Sequence, residues 1–142
     1  MGANAADVGL QERWRDILAV HARTLCEIDR VLHPYGLGAS DFEVLDVLAS
    51  AATGEDGDDG KDEDDGAGGR CRVHDLAARV HLSQSALSRL VGRLERDGLV
   101  ERSTCADDRR GVRVVLTGKG RALHAEVLPL QRAVLARMLG DY

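Results

Sequence analysis

The chain has 142 residues, enough for one domain or for one domain with an oligomerisation arm. Its net charge of −5, taken over the whole chain, argues against a nucleic-acid partner. No apolar run approaches the length of a membrane span and no signal peptide is evident, so we expect a cytoplasmic protein without a membrane partner.

The first predicted helix, residues 10–33, carries apolar residues at alternating intervals of four and three and ends before Pro34 and Gly36. Such a heptad seam fits either a helix packed on its own domain or a subunit interface. Since a small domain cannot cover so long a helix, we expect a homodimer interface. Its residues are Trp14, Leu18, His21, Leu25 and Ile28, with Leu32 closing the seam.

A second helix is predicted to begin in a capping box formed by Ser40 and Glu43. Its expected core residues are Leu37, Phe42, Leu45 and Leu48. Residues 51–69, which follow, are mostly Gly, Asp and Glu with almost nothing apolar, and they predict a disordered, solvated insert. The alternatives are an autoinhibitory DNA mimic and a weak cation site, although the spacing of a calcium loop is not met.

Residues 73–97 predict two short helices separated by a tight turn. The first is Val73 to about Val80, and His81 and Leu82 form the turn. Ser83 stands where an N-cap belongs, and Gly98 stands where a helix ends in a left-handed residue. The second helix places Leu87, Leu90, Val91 and Leu94 on one face, opposite Gln84, Ser85, Ser88, Arg89, Arg93 and Arg96.

Two short β segments follow, Leu99–Val100 and Val112–Leu116, joined by an Arg-rich polar tip. The order is that of a helix-turn-helix with a wing, which is a module that reads DNA. Regional charge agrees, because residues 54–65 have a net charge of −7 whereas residues 70–121 have a net charge of +6. The basic charge is therefore concentrated in the predicted DNA module.

A last helix is predicted over residues 118–139, with a kink at Pro129. The expected fold class is mostly α with a small β wing (α+β), a winged helix-turn-helix with N- and C-terminal dimerisation helices. We expect residues 10–33 and 118–139 to form the dimerisation helices. Residues 40–117 form the DNA-binding domain, which contains the insert at 51–69.

The stretch SQSALSRLVGRLERDGLVERSTCADDRRGVRVVLTGKG resembles the MarR family of bacterial transcription regulators, and LGASDFEVLDVLAS resembles that family's second helix. The resemblance covers roughly residues 10–50 and 70–139. It implies a ligand-responsive homodimeric repressor that binds double-stranded DNA at a pseudo-palindromic operator. It also implies a small-molecule effector, often an aromatic acid.

The residues expected to contact DNA fall into three sets. Gln84, Ser85, Ser88 and Arg89 face base edges of the major groove or adjacent phosphates. Arg93, Arg102 and Arg113 make backbone contacts or intramolecular pairs. The wing tip, with Arg109 and Arg110, tracks or enters the minor groove. The resemblance implies that Arg110 enters the groove and that Asp108 holds Arg110 in place. Arg102 is also expected to support the wing.

Other classes of function find less support in the residues. No catalytic motif, phosphate loop or metal-ligand spacing is present, so we expect no enzyme, no cofactor and no metal. One alternative is a winged-helix protein-interaction module whose acidic loop docks a basic partner. Another is a redox-sensing regulator that uses one of the widely spaced Cys26, Cys71 and Cys105.

Overall fold

The computed structural model describes residues 4–53, 70–103 and 113–140. The helices are α1 (Ala5–Leu32), α2 (Ala39–Thr53), α3 (Val73–Val80), α4 (Gln84–Arg96) and α5 (Gly118–Leu139), and a 3-10 turn, His33–Tyr35, follows α1. The strands are β1 (Arg70–Arg72), β2 (Val100–Ser103) and β3 (Arg113–Leu116). The mostly helical winged fold expected from the sequence is confirmed. Within the described residues, no helix combines the length and apolar character that a membrane span requires.

The chain divides into two compact units. The arm unit comprises Met1–Ala39 and Leu128–Tyr142, and the winged unit comprises Ser40–Val127. The helix α5 therefore starts in the winged unit and ends in the arm unit. The acidic insert was expected from residue 51, but residues 51–53 are the last residues of α2, and 54–69 lie outside the described residues.

In the arm unit, the apolar seam of α1 changes character along the helix. Trp14 and Leu18 are 53% and 44% exposed, and Leu25 is 37% exposed. Ile28 and Leu32 are instead buried, at 6% and 0% exposure. Ile28 was expected at the subunit interface, but it belongs to the core of the single chain because the C-terminal end of the seam is already covered there. The unpartnered part of the seam is the N-terminal half.

The start of α2 differs from the expected capping box. The helix begins at Ala39, so Ser40 lies inside its first turn. The backbone N–H of Ala39 donates to Asp29 Oδ1 of α1 at 2.7 Å. A carboxylate from the preceding helix thus satisfies one of the free N–H groups at this helix end. The expected core residues Leu37, Phe42, Leu45 and Leu48 are all buried.

The two helices of the helix-turn-helix form as the sequence predicts. The hydroxyl of Ser83 accepts from Ala86 N–H at 3.1 Å, which caps α4. Four apolar residues of α4 are buried: Leu87, Leu90, Val91 and Leu94. Gly98 ends the helix with a φ of 79°, and the N–H of Leu99 donates back to the carbonyl of Leu94 at 2.9 Å. Helix α4, the expected recognition helix, therefore has defined ends and one buried face.

Among the described residues the sheet has three strands in the order β1-β3-β2, all antiparallel. The sequence predicted only the pair formed by β2 and β3. It predicted the first of these strands over Leu99–Val100, whereas β2 runs over Val100–Ser103. Arg70–Arg72 are too few to produce a periodic pattern, and they form a strand because they pair with Arg113–Val115. Since β3 is the central strand, Val114 and Leu116 are buried.

The end of α4 and the start of α5 pack closely together at a junction. Thr117 Oγ1 lies 2.7 Å from the carbonyl oxygen of Gly98 and accepts from Gly120 N–H at 3.0 Å. Lys119 Nζ donates to the carbonyl of Asp97 at 2.9 Å. A Cβ atom at Gly120 would overlap the carbonyl oxygen of Leu99, so the backbones approach closely only because this residue is glycine.

We expect Gly120→Ala to destabilise the fold by about 1–3 kcal/mol, because the new methyl group would force the junction apart. Gly118→Ala is the matched control, since a Cβ at Gly118 meets nothing within 4 Å. The control should leave the free energy of unfolding unchanged or raise it by about 0.4–1 kcal/mol. Urea unfolding of both variants measures the difference, and equal stabilities would contradict the close approach.

Candidate nucleic-acid interface

The outer face of α4 is polar and exposed over its N-terminal half. Four of the residues predicted to contact DNA lie there, all exposed: Gln84, Ser85, Ser88 and Arg89. Because Leu87 and Leu90 anchor the opposite face, this surface is presented by a rigid element. Its hydroxyl, amide and guanidinium groups are the types that pair with base edges and phosphates in a major groove.

Gln84 has an intramolecular partner that the sequence did not reveal. Its Nε2 lies 2.9 Å from Nδ1 of His74, which is the second residue of α3. The sequence does not connect His74 with α4. No local pattern could have done so, because the two residues are ten positions apart on different helices.

Arg102, expected to support the wing, connects β2 to α4. Its Nη2 donates to the carbonyl oxygen of Ser88 at 3.0 Å, and its Nε lies 3.7 Å from a carboxylate oxygen of Glu95. A Cβ at Gly92 would stand 3.7 Å from this Nη2, which is an ordinary van der Waals contact. Arg102 thus lies beside the middle of α4 and ties the first strand of the wing to the recognition helix.

Arg93 pairs with an acidic side chain of α2. Its guanidinium contacts the carboxylate of Asp41, which is only 3% exposed, whereas the Arg93 side chain is about half exposed. A buried carboxylate requires a charged or hydrogen-bonding partner. Of the two roles considered for Arg93, this geometry favours the intramolecular pair.

Arg113 is 9% exposed and lies on the central strand β3. Its burial likewise favours intramolecular pairing over a phosphate contact. Arg89 differs from both, because it is exposed and has no hydrogen bond or ion pair with the described residues. The predicted wing-tip residues, Asp108, Arg109 and Arg110, lie outside the described residues.

A second polar cluster of the winged unit joins α5 to α2. Nε2 of His124 on α5 lies 2.7 Å from Oδ1 of Asp46 on α2, and the ring of Phe42 stacks on His124 at 5.5 Å between centroids. Desolvation raises the pKa of the Glu43 carboxyl although the residue as a whole is exposed, the charge of Asp46 raises it further, and His81 opposes both. Within the described residues, no group of three or more His, Cys, Asp or Glu side chains is arranged to hold a metal.

Comparison with known proteins places this geometry in a family. Residues 67–112 match the model of the MarR family. AbsC, a MarR family transcriptional regulator from Streptomyces coelicolor, is 30% identical; the match covers 99% of this chain and 83% of AbsC, with a TM-score of 0.76.

Two further solved structures have the same fold. The transcriptional regulator BldR from Sulfolobus solfataricus is 26% identical, over 99% of this chain and 88% of its own, with a TM-score of 0.75. Sco3205 is a MarR family transcriptional regulator from Streptomyces coelicolor whose structure is a complex with DNA. It is 24% identical, and the match covers 99% of this chain and 78% of Sco3205, with a TM-score of 0.77.

The structure separates two arginines of α4 that the sequence treats alike. We expect Arg93→Met to lower the free energy of unfolding by about 1–3 kcal/mol, because the buried carboxylate of Asp41 loses a charged partner. Arg89→Met should leave stability unchanged and weaken DNA binding. Urea unfolding and a DNA titration of both variants test this, and a fully stable Arg93→Met protein would exclude a structural role for the ion pair.

Proposed function

The chain belongs to the MarR family of transcriptional regulators, and we propose that it is a homodimeric repressor that binds a pseudo-palindromic DNA operator. The observation that carries the proposal is the exposed outer face of α4, where Ser85, Ser88 and Arg89 lie opposite a fully packed apolar face. Two such helices related by a two-fold axis would read two half-sites.

The role of each residue in the interface follows from the hydrogen-bonding groups on its side chain. Ser85 and Ser88 offer hydroxyl groups that donate to or accept from base edges. Among the described residues no acid pairs with the guanidinium of Arg89, which suits a guanine edge or a phosphate. Arg109 and Arg110 of the wing tip are proposed to follow the minor groove, with Asp108 holding Arg110. The net charge of +6 over residues 70–121 supports this assignment.

The dimer is proposed to form through the exposed N-terminal half of α1. Trp14, Ile17 and Leu18 are between 43% and 53% exposed, and Leu10, one turn before Trp14, extends the same apolar surface toward the N-terminus. A contiguous apolar surface on a helix is characteristic of a subunit interface. His21 and Leu25 are also exposed and complete the proposed contact, whereas Ile28 supports it from the core.

A small-molecule effector that weakens operator binding is part of the proposal, and it rests on the family alone. Its test is a titration of aromatic acids into the protein–DNA complex, with release of DNA as the supporting result. Unchanged DNA binding with every acid tested would remove this part and leave the DNA-binding role in place.

The test of base reading is selection of binding sites from a random duplex pool. We expect a variant with both Ser85→Ala and Ser88→Ala to select a different sequence from the wild type, because two polar groups that face the groove are lost. Its thermal stability should stay close to wild type, since both serines are exposed. Identical selected sequences would show that these hydroxyls do not read bases.

For the arm, Leu18→Glu should produce monomers, because it places a charge on the proposed apolar contact. Arg23→Gln is the matched control, since it lies on an exposed part of the same helix and changes the net charge by the same amount. Sedimentation at micromolar concentration distinguishes the two. A monomeric wild-type protein would refute the proposed dimer.

A further inference from the structure

The hydrogen bond between His74 and Gln84 joins the first helix of the module to the first residue of the recognition helix. Both side chains are exposed, and their atoms Nδ1 and Nε2 lie 2.9 Å apart. An exposed bond of this kind adds little to the free energy of folding, because water competes for both partners. The bond instead orients the amide of Gln84. This residue lies at the N-terminal end of α4, and the N-terminal residues of such a helix contact base edges.

The chemistry of the two groups fixes that orientation. Gln84 donates through Nε2, so Nδ1 of His74 is the acceptor and the ring proton of the neutral imidazole is on Nε2. The amide then keeps its carbonyl oxygen and a second N–H for a ligand. One acceptor beside one donor is the pattern that pairs with N6 and N7 of adenine in the major groove. Without the imidazole, the amide can rotate and offer its two groups in either order.

We propose that His74 is a specificity-determining residue: it holds the amide of Gln84 in the orientation that selects adenine. His74 acts through Gln84 and is therefore a positioning residue. The inference rests on the proposed function, since it requires that α4 reads duplex DNA. The determinants of sequence preference then include a residue of α3 as well as the outer face of α4.

The experiment compares two substitutions at His74 that differ in one group. His74→Leu removes the acceptor, whereas His74→Asn places Oδ1 at nearly the same position along the side chain as Nδ1 of histidine. Each protein, with the wild type and Gln84→Leu, is used to select sites from a random duplex pool. Binding is then titrated on the selected operator and on duplexes with the preferred adenine replaced. Melting temperatures establish that the variants are folded.

The wild type should prefer adenine at one position per half-site by about 5- to 150-fold, the range of one good bidentate contact. His74→Leu should reduce this preference to about threefold or less, and His74→Asn should restore most of it. In a Gln84→Leu background, the two His74 variants should behave identically, because the amide that they orient is absent.

Different failures have different meanings. A folded wild-type protein that selects no sequence would refute the proposed function itself. A wild type that selects an operator, with a preference altered by Gln84→Leu but unchanged by His74→Leu, would overturn the inference and leave the function intact. The inference would also fall if His74→Asn behaved like His74→Leu, or if Gln84→Leu retained the full preference for adenine.

Discussion

Thr117 joins the end of the recognition helix to the start of α5, and the geometry of the winged unit depends on this contact. Its hydroxyl lies within 3.0 Å of the carbonyl oxygens of Gly98 and Leu99 and also accepts from the N–H of Gly120. The left-handed turn at Gly98 brings the chain to this point, and the strands β2 and β3 begin and end beside it. This side chain thus links the end of α4, the start of the sheet and the first turn of α5.

The arginines of the winged unit show that environment, rather than residue type, decides what a cation does. Asp41 is almost fully buried, and the guanidinium of Arg93 is one of the partners of its carboxylate. Arg93 therefore has a structural contact that Arg89 lacks among the described residues. Arg102 has a backbone carbonyl and Glu95 as partners, whereas Arg89 has none within the described residues and remains available to a ligand.

Features that depend on neighbouring residues could be predicted from the sequence. The cap at Ser83 and the stop at Gly98 each involve hydrogen bonds that span only a few residues. Contacts between distant residues could not be predicted: Asp41 and Arg93 are 52 positions apart, and the two ends of α1 look alike although only one is covered. The strand β1 escaped prediction because pairing with β3, rather than local propensity, makes it a strand.

The net charge of −5 is compatible with a DNA-binding surface because charge acts locally. Exposed charges more than about 10 Å apart are largely screened at 0.1 M salt, so the net charge of a whole chain does not decide the potential at one surface. The regional charge nevertheless overstates the cations available to DNA, since Arg93 and Arg102 are paired with acids. In the described part of the winged unit, Arg89, Arg96, Lys119 and Arg121 are exposed without an ion pair. Each phosphate contact contributes about 0.9 to the magnitude of the slope of log K against log salt, so these four cations would account for a magnitude of roughly 3.6 per subunit. A steeper slope would require further cations, such as those of the wing tip.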